Sequence, residues 1–318
     1  MSIEISLGLW QDRPPAEALG TARLAGELGF PALWIGEMAT YDAFALAAAA
    51  GPALPPATRL VLGPFAVTVR DPMMIAMGAA SVAALTGRSV SVALGTSSPV
   101  VVEQWHGRSR AGSAQALETA ARSVRALLAG ERVGGYRLRL PPVEPDIVVA
   151  AFGPRAVTTA ARHADRMVLN LLDPPTAGDL VRRLRAADGR RPRVAAWAPA
   201  AIGSDLSAAY EQLRRGVVGY LAAPGYCDMF VRAGFGDVVE FARTGPHPRE
   251  LLAAIPDALV DAVGVVGDRD AARQRIAAYR EHGVDDVVLV PASTDADPLG
   301  AATLAAAKEL LRERDAAT

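Results

Sequence analysis

Eight apolar strand segments alternate with helical segments along this chain, and this alternation restricts its fold more than any other feature. Short, continuous apolar runs are typical of strands that are covered on both faces in a parallel sheet. Eight strands, each followed by a helix, predict an α/β protein with a single (β/α)8 TIM barrel. The predicted strands are Ile3–Trp10, Ala32–Ile35, Arg59–Leu62, Ser89–Leu94, Asp146–Ala150, Arg166–Leu171, Arg193–Trp197 and Val287–Val290.

The length of the chain, 318 residues, suits one large barrel. No low-complexity linker divides it, so residues 1–318 are predicted to form a single domain. The region of about 205–261, between the seventh and eighth strands, is longer than a simple crossover needs. We therefore expect a helical insertion at this point of the barrel.

Net charge and cysteine content indicate which binding partners and which cellular compartment to expect for this chain. The net charge of -1 and the pI of about 6.5 give no reason to expect nucleic acid or a membrane surface as a partner. The lone Cys227 excludes an internal disulfide framework and fits a reducing cytoplasm. The start MSIEISLGLW does not read as a signal peptide, and no apolar run approaches the roughly 20 residues that span a bilayer. These features predict a cytoplasmic location.

The third strand contains an irregularity. Gly63-Pro64 interrupts it, and Phe65–Thr68 resume an extended pattern before Asp71-Pro72 open a helix. Strand interiors normally exclude Gly and Pro, so this break predicts a bulge, a bend or a close backbone approach to a bound ligand.

Ligands of such barrels bind at the C-terminal ends of the strands, among the loops that follow them. Two of these loops could hold an anion. Gly153-Pro154 opens a helix whose free N–H groups favour phosphate, and Arg155 adds positive charge; a simple strand–turn–helix junction is the alternative. The small, polar Gly95–Ser98 loop permits close ligand approach. No His, Cys, Asp or Glu set has zinc-site spacing, so no metal is predicted.

The chain resembles the luciferase-like flavin and deazaflavin oxidoreductases, particularly the branch that depends on coenzyme F420 and occurs in actinobacteria. Each motif is modest alone, but their order and spacing together are specific. The segments that carry the resemblance are LGFPALWIGE (28–37), RLVLGPFAVTVRDPMMIA (59–76), LTGRSVSVALGTSSPVVVEQWHG (85–107), VVAAFGPRAVTTAARHADRMVL (148–169) and DALVDAVGVVGDRDAARQRIAAYREHGVDDVVLV (257–290).

The resemblance implies a deazaflavin or flavin ring at the barrel mouth. It places a non-prolyl cis peptide at Phe65–Ala66, facing that ring, and the phosphate-bearing tail at Ala151–Arg155. It also implies that the insertion covers the mouth, with Tyr220–Phe235 as a substrate lid; a purely structural helical excursion is the alternative. The full set of predicted cofactor contacts is Glu37, Gly63, Pro64, Phe65, Ala66, Thr68, Gly95, Thr96, Ser97, Ser98, Ala151, Phe152, Gly153, Pro154, Arg155 and Asn170.

The resemblance also bears on the reaction. Some deazaflavin sugar-phosphate dehydrogenases carry a His and a Glu for proton transfer where this chain has Met38 and Ser98, so alcohol oxidation is disfavoured. Reduction of C=C or C=N needs one proton besides the hydride. Its predicted sources are Glu37, Tyr41, His106 or water. The alternatives are a helix or loop salt bridge for Glu37, helix-start packing for Tyr41, and lining the pocket or orienting a loop for His106.

The sequence therefore predicts a reductase that uses reduced F420 to deliver hydride to an activated C=C or C=N bond. The substrate is expected to be a specialised metabolite or a modified peptide, and a homodimer is a possible assembly. An FMN-dependent monooxygenase and a catalytically silent flavin- or deazaflavin-binding protein are the alternatives.

Overall fold

Eight parallel strands close into a barrel in the computed structural model, which describes residues 2–203 and 205–316. The first strand pairs with the second and the ninth, and the seventh pairs with the sixth and the ninth, which closes the ring. The predicted (β/α)8 barrel is confirmed. The strands are β1 Ser2–Ser6, β2 Ala32–Ile35, β3 Arg59–Ala66, β4 Val90–Gly95, β5 Ile147–Ala150, β6 Arg166–Asn170, β7 Arg193–Ile202, β8 Val265–Gly267 and β9 Asp286–Pro291.

Helices surround the barrel, and side chains at their first turns help to set where they begin. Asp42 accepts from the Ala45 N–H at 2.9 Å, and Asp71 accepts from the Met73 N–H at 2.8 Å, with Pro72 at the first helical position. The helices are α1 Glu17–Glu27, α2 Ala43–Ala50, α3 Pro72–Thr86, α4 Ser113–Leu128, α5 Pro154–His163, α6 Pro174–Ala186, α7 Ser207–Val218, α8 Tyr226–Arg232, α9 Gly236–Arg243, α10 Pro248–Ala254, α11 Asp257–Val263, α12 Arg269–Glu281 and α13 Ala301–Ala316.

The inside of the barrel is packed rather than open. Alternate strand residues face inward, where a small apolar cluster contains Trp34, Val61 and Val168 and is separate from the large core beneath the helices. One ion pair is buried with this cluster. Glu4 accepts from Arg166 at 2.8 Å and from the Trp34 indole N–H at 2.6 Å.

The predicted helical insertion is present and consists of α7–α11, between β7 and β8. It forms several short helices rather than one long helix. Gly225 (φ +86°) and Gly234 (φ +94°) adopt left-handed backbone, and Pro248 and Pro256 occur at later helix starts. Leu213, on α7, is fully buried, so the insertion shares the main core. Among the described residues, no helix is both long and apolar enough to cross a membrane.

Several boundaries differ from those predicted. β1 ends at Ser6 rather than Trp10, and Leu9 beyond it has a positive φ of 46° that ordinary strands do not contain. β7 continues to Ile202 because its last three residues pair with β8, a strand too short to have a sequence signature. A π-helix at Val100–Trp105 follows β4 and was not predicted.

Candidate active site

The carboxyl ends of the barrel strands form the mouth, and small residues line its floor. A Cβ added to Gly95, the last residue of β4, would lie 3.4 Å from the Cβ atoms of both Pro64 and Ala150. A Cβ added to Gly36, directly after β2, would lie 3.5 Å from the Trp197 ring. The two glycines therefore add no side chain of their own to a floor that Pro64, Ala150 and Trp197 border.

Left-handed backbone at non-glycine residues is concentrated around this mouth. Leu9, Ser97 and Leu171 have φ values of 46°, 57° and 52°, and they follow β1, β4 and β6 respectively. Such conformations are uncommon outside glycine and tend to occur at functional sites. The mouth is thus the candidate active site on backbone grounds as well as by analogy with other barrels.

The irregular third strand has the predicted bulge, but the cis bond lies elsewhere. The pairing of β3 with β4 shifts register between Leu62 and Phe65. The cis peptide recorded among the described residues is Gly63–Pro64, so the prediction of a cis bond at Phe65–Ala66 is wrong. A cis bond before proline costs far less than one elsewhere, which is why the irregularity is found there. The Phe65–Ala66 bond consequently provides no basis for choosing F420 over FMN.

The side chain of Phe65 points away from the mouth. It is fully buried in the core beneath the helices, and its ring stacks on Phe44 of α2 with centroids 4.7 Å apart. The Arg70 guanidinium lies 5.6 Å from the Phe65 centroid. Pro64, in contrast, faces Gly95 across the floor. Among the bulge residues predicted to contact the cofactor, Gly63 and Pro64 lie at the mouth. Phe65 could contact a cofactor only through its backbone.

Glu37 is held in an ion pair at the edge of the mouth. Arg70 donates from Nε to Glu37 Oε2 at 2.7 Å and from Nη2 to Oε1, and the same Nη2 contacts Asp42. Burial alone would raise the pKa of Asp42, but the Ala45 N–H and Arg70 outweigh it and lower that pKa. The hydrogen bonds that Arg70 donates to Glu37, and to a lesser extent to Asp42, raise the pKa of Arg70 against the opposing effect of burial. Both Glu37 oxygens thus already accept charged hydrogen bonds.

The other predicted proton donors have different surroundings. Tyr41 is partly buried against the core directly before the Asp42 cap of α2. His106 is exposed and lies at the C-terminal end of the π-helix. Both assignments stay predictions.

The loop after β4 is partly used for local structure. Ser98 Oγ accepts from the Val101 N–H at 3.3 Å, at the start of the π-helix. The Ser97 carbonyl accepts from Arg110 at 2.9 Å. Thr96 is partly buried beside Gly95. The loop therefore offers the mouth its backbone and Thr96 more readily than the Ser98 hydroxyl.

The start of α5 matches the predicted anion site in its local geometry. Gly153 is an extended N-cap residue without a side-chain cap, and Pro154 occupies the first helical position. The first intrahelical bond runs from the Val157 N–H to the Gly153 carbonyl at 3.1 Å. Gly153 and Arg155 are exposed, while Ala151 is buried. Polar N–H groups at this end of the helix are therefore available to an anion.

The insertion spans the mouth from one side to the other. On the β1 side, Gln212 of α7 donates to Asp12 at 3.1 Å, and Trp10 lies close to Gly216. On the β5–β6 side, Tyr226 of α8 packs on Phe152 with ring centroids 4.8 Å apart. These contacts put the insertion against loops on two sides of the mouth; its role as a substrate lid stays a prediction.

Asn170 is the residue through which β6 meets the insertion. Its Nδ2 donates to the Tyr226 hydroxyl at 3.4 Å, and the Tyr220 ring lies 4.9 Å from the Tyr226 ring. Burial raises the pKa of Tyr226, its neighbour Tyr220 raises it further, and Asn170 acts in the opposite direction. Tyr220 and Tyr226 lie within the predicted lid, but no sequence pattern pairs either with Asn170, which is distant in the chain.

Several buried polar atoms at the mouth lack a hydrogen-bond partner among the described residues. They include Thr68 Oγ1 after β3 and Trp197 Nε1 on β7, with Thr40 Oγ1 and Asp173 Oδ1 in adjoining loops. Buried polar groups are normally paired, so such atoms mark places where a polar ligand or water binds. Thr68 was predicted as a contact, whereas Trp197 was missed because it reads as an ordinary strand residue.

A groove on the outer face of the barrel lies apart from this site. It is lined by Met77 and Ser81 of α3 and by residues of the loop 132–140. None of these residues follows a barrel strand directly, so we do not assign the groove to the active site.

Comparison with known proteins agrees with this architecture. A family model described as luciferase-like monooxygenase matches residues 2–286. A protein of Mycobacterium tuberculosis, provisionally named a coenzyme F420-dependent oxidoreductase, is 26% identical over 93% of this chain and 96% of its own length.

Two solved structures show the same fold. The coenzyme F420-dependent tetrahydromethanopterin reductase of Methanopyrus kandleri is 18% identical, with a TM-score of 0.77 over 96% of this chain and 98% of its own. The oxygenating constituent of 3,6-diketocamphane monooxygenase from Pseudomonas putida, in complex with FMN, is 16% identical, with a TM-score of 0.67 over 98% and 97%.

Proposed function

Because the chain belongs to the luciferase-like monooxygenase family, we propose that this oxidoreductase uses reduced F420 to transfer hydride to an activated C=C or C=N bond. The proposal rests on two features that lie at the carboxyl ends of the barrel strands. One is the floor at Gly36 and Gly95, and the other is the helix start at Gly153, which has no side-chain cap. The first feature suits a planar ring, and the second suits a phosphate-bearing tail.

The described residues fit a deazaflavin or flavin. Thr68 Oγ1 and Trp197 Nε1 are unpaired buried groups at the mouth that could bond the polar edges of such a ring. Arg155 and the first-turn N–H groups of α5 could hold the phosphate. The name of the 26% identical relative supports F420 rather than FMN as the cofactor.

F420, when bound, supplies the hydride, and the protein has only to align the acceptor and control the proton. Arg70 fixes the wall of the mouth by holding Glu37 and Asp42 together. A Glu37 carboxylate engaged in this way is a poor proton donor, so we assign it a positioning role. In the proposed reaction the insertion acts as a lid over the mouth and shields the reacting atoms from water.

The choice of reduction over alcohol oxidation rests on what the mouth offers. Met38 is exposed and Ser98 caps a helical turn, so neither position supplies a base for an alcohol proton. The acceptor is therefore proposed to be an electron-poor double bond, in a specialised metabolite or a modified peptide. Cytoplasmic location and a homodimer stay predictions.

Fluorescence titration with F420, and absorbance titration with FMN, test the cofactor. We expect F420 to bind more tightly than FMN and its reduced form to be oxidised when an activated alkene or imine is added. Arg155→Ala should weaken F420 binding about tenfold, since it removes one charged phosphate contact. Arg162→Ala, at the exposed far end of the same helix, is the matched control and should bind as the wild type does. Tight FMN binding with no response to F420 would overturn the cofactor assignment.

An FMN-dependent monooxygenase is the second candidate. The description of the family itself and the FMN complex among the structural neighbours favour it. This alternative would be established if the protein consumed oxygen with reduced FMN and did not oxidise reduced F420 with an activated acceptor.

A further inference from the structure

The insertion brings the Tyr226 hydroxyl to the end of barrel strand β6. Asn170, the last residue of β6, donates from Nδ2 to this hydroxyl at 3.4 Å. The tyrosine oxygen is the acceptor in that bond, so its own proton is not used there. Among the described residues, no recorded hydrogen bond has the Tyr226 hydroxyl as donor. That proton is therefore free to go to a ligand at the mouth.

Aromatic packing holds the Tyr226 ring in place. Phe152, from the loop after β5, and Tyr220 lie on it with centroid distances of 4.8 and 4.9 Å. Gly225, immediately before it, has a φ of +86°, and a Cβ there would lie 3.0 Å from the Phe152 ring. A side chain at Gly225 would crowd this contact, so the glycine permits Tyr226 to sit close to the strand ends.

We propose that Tyr226 donates the proton that completes reduction of the acceptor, and that Asn170 stabilises the phenolate left behind. The proposal rests on the proposed function. One carbon of the acceptor double bond gains the hydride, and the bond's electron pair moves to the other atom. That atom takes the Tyr226 proton as the O–H bond breaks. The two electrons leave reduced F420 with the hydride, and the proton that its oxidation releases to solvent replaces the one lost by Tyr226.

Asn170 is placed to favour proton release from Tyr226. A tyrosine hydroxyl is protonated at neutral pH, and burial raises the pKa of Tyr226 further, whereas Asn170 acts to lower it. An amide N–H bonded to the oxygen favours the charged form, which exists only after the proton has left. Of the other candidate donors, Glu37 is already bonded to Arg70 and His106 is exposed, while Tyr41 packs against the core beside the start of α2.

Replacement of Tyr226 by Phe tests the proposal on the intact enzyme with F420 and an activated acceptor. We expect Tyr226→Phe to slow oxidation of reduced F420 at least about 100-fold, the usual contribution of a general acid. The affinity for F420, measured by fluorescence, should stay within about twofold of wild type. Tyr210→Phe is the matched control, because Tyr210 also lies in the insertion but bonds Asp261 instead; its rate should be unchanged.

Two further measurements separate a proton donor from a packing residue. When a prochiral alkene is reduced in deuterated water, the wild type should add deuterium to one face of the double bond. Tyr226→Phe should lose that facial preference. In the cofactor-free protein, Asn170→Leu should shift the Cζ resonance of 13C-labelled Tyr226 and leave that of Tyr210 in place. An unshifted Tyr226 resonance would contradict the Asn170 bond.

The outcomes distinguish this inference from the function beneath it. If the wild type turns over and Tyr226→Phe keeps its rate and facial preference, or Tyr220→Phe loses them instead, the Tyr226 assignment is wrong and the reductase stands. If the wild type neither binds F420 nor oxidises its reduced form with any activated acceptor, both are overturned.

Discussion

The guanidinium of Arg70 donates to both carboxylate oxygens of Glu37, from Nε at 2.7 Å and from Nη2. The same guanidinium lies 5.3 Å from the centroid of the Phe44 ring. This fork ties the loop after β2 to the loop after β3, two neighbouring walls of the mouth. A planar, two-armed cation is required for that geometry, since an ammonium has no fork to match a carboxylate.

Replacing Arg70 by Lys should therefore loosen the mouth without unfolding the barrel. We expect the free energy of unfolding, measured by chemical denaturation, to fall by about 1–2 kcal/mol. Cofactor affinity should fall several-fold in the same protein. Arg182→Lys changes an exposed pair with Asp179 and serves as the control, with an expected change below about 0.5 kcal/mol. Equal effects of the two substitutions would contradict a special role for Arg70.

The buried pair of Glu4 and Arg166 leads to a prediction about stability alone. Their side chains are 5% and 9% exposed, so removing one partner leaves a charge without compensation inside the barrel. Arg166→Met should lower the free energy of unfolding by about 3–5 kcal/mol. The double substitution Glu4→Gln with Arg166→Met should be less damaging than Arg166→Met alone, because no unpaired charge remains. Denaturation of the three proteins at one pH measures both effects, and a mild Arg166→Met phenotype would contradict the burial argument.

The carboxyl group of Asp286 makes the stability of the barrel depend on pH. Burial alone would raise its pKa, but the bonds from Arg193 and Ser2 outweigh burial and hold the pKa below its ordinary value. A carboxyl with a lowered folded pKa stabilises the protein above its unfolded pKa of about 3.9, and this stabilisation is lost as the pH falls from there through the folded pKa. Asp286→Asn should therefore be less stable than wild type at neutral pH, and its stability should fall less steeply in acid. Denaturation at a series of pH values measures this, with the exposed Asp188→Asn as control; parallel curves for wild type and Asp286→Asn would contradict it.

Sequence patterns predicted the fold well because each barrel strand has its own local signal. Val92–Leu94 and Val287–Val290 are apolar runs that any parallel sheet would bury. β8 was missed, since its three residues extend a pairing with β7 and have no pattern of their own. The resemblance correctly suggested an irregular bond near Gly63 but placed it at Phe65–Ala66. The backbone instead has its cis bond at Gly63–Pro64.

The site was less predictable than the fold because its contacts join distant parts of the chain. Glu37 and Arg70 were each visible in the sequence, but nothing local indicates that they pair. Likewise Asn170 and Tyr226 are 56 residues apart, and only the path of the insertion brings them together. Positions at strand ends can therefore be listed from sequence, whereas their partners follow from tertiary structure.

An added methyl group should affect a different property at each of two glycines of the mouth, the stability of the fold at Gly63 and cofactor affinity at Gly95. Gly63 has a φ of +104°, and a Cβ there would lie 2.4 Å from the Ala93 carbonyl oxygen, so Gly63→Ala should destabilise the fold by several kcal/mol. Gly95 has ordinary backbone and enough room, with neighbours at 3.4 Å, so Gly95→Ala should change the free energy of unfolding by less than about 1 kcal/mol. Its new methyl would instead occupy the floor and reduce cofactor affinity about tenfold or more. Denaturation and cofactor titration of both proteins separate the two effects, with Gly135→Ala, which has open space, as control. Unchanged cofactor binding in Gly95→Ala would show that the ring does not lie on this floor.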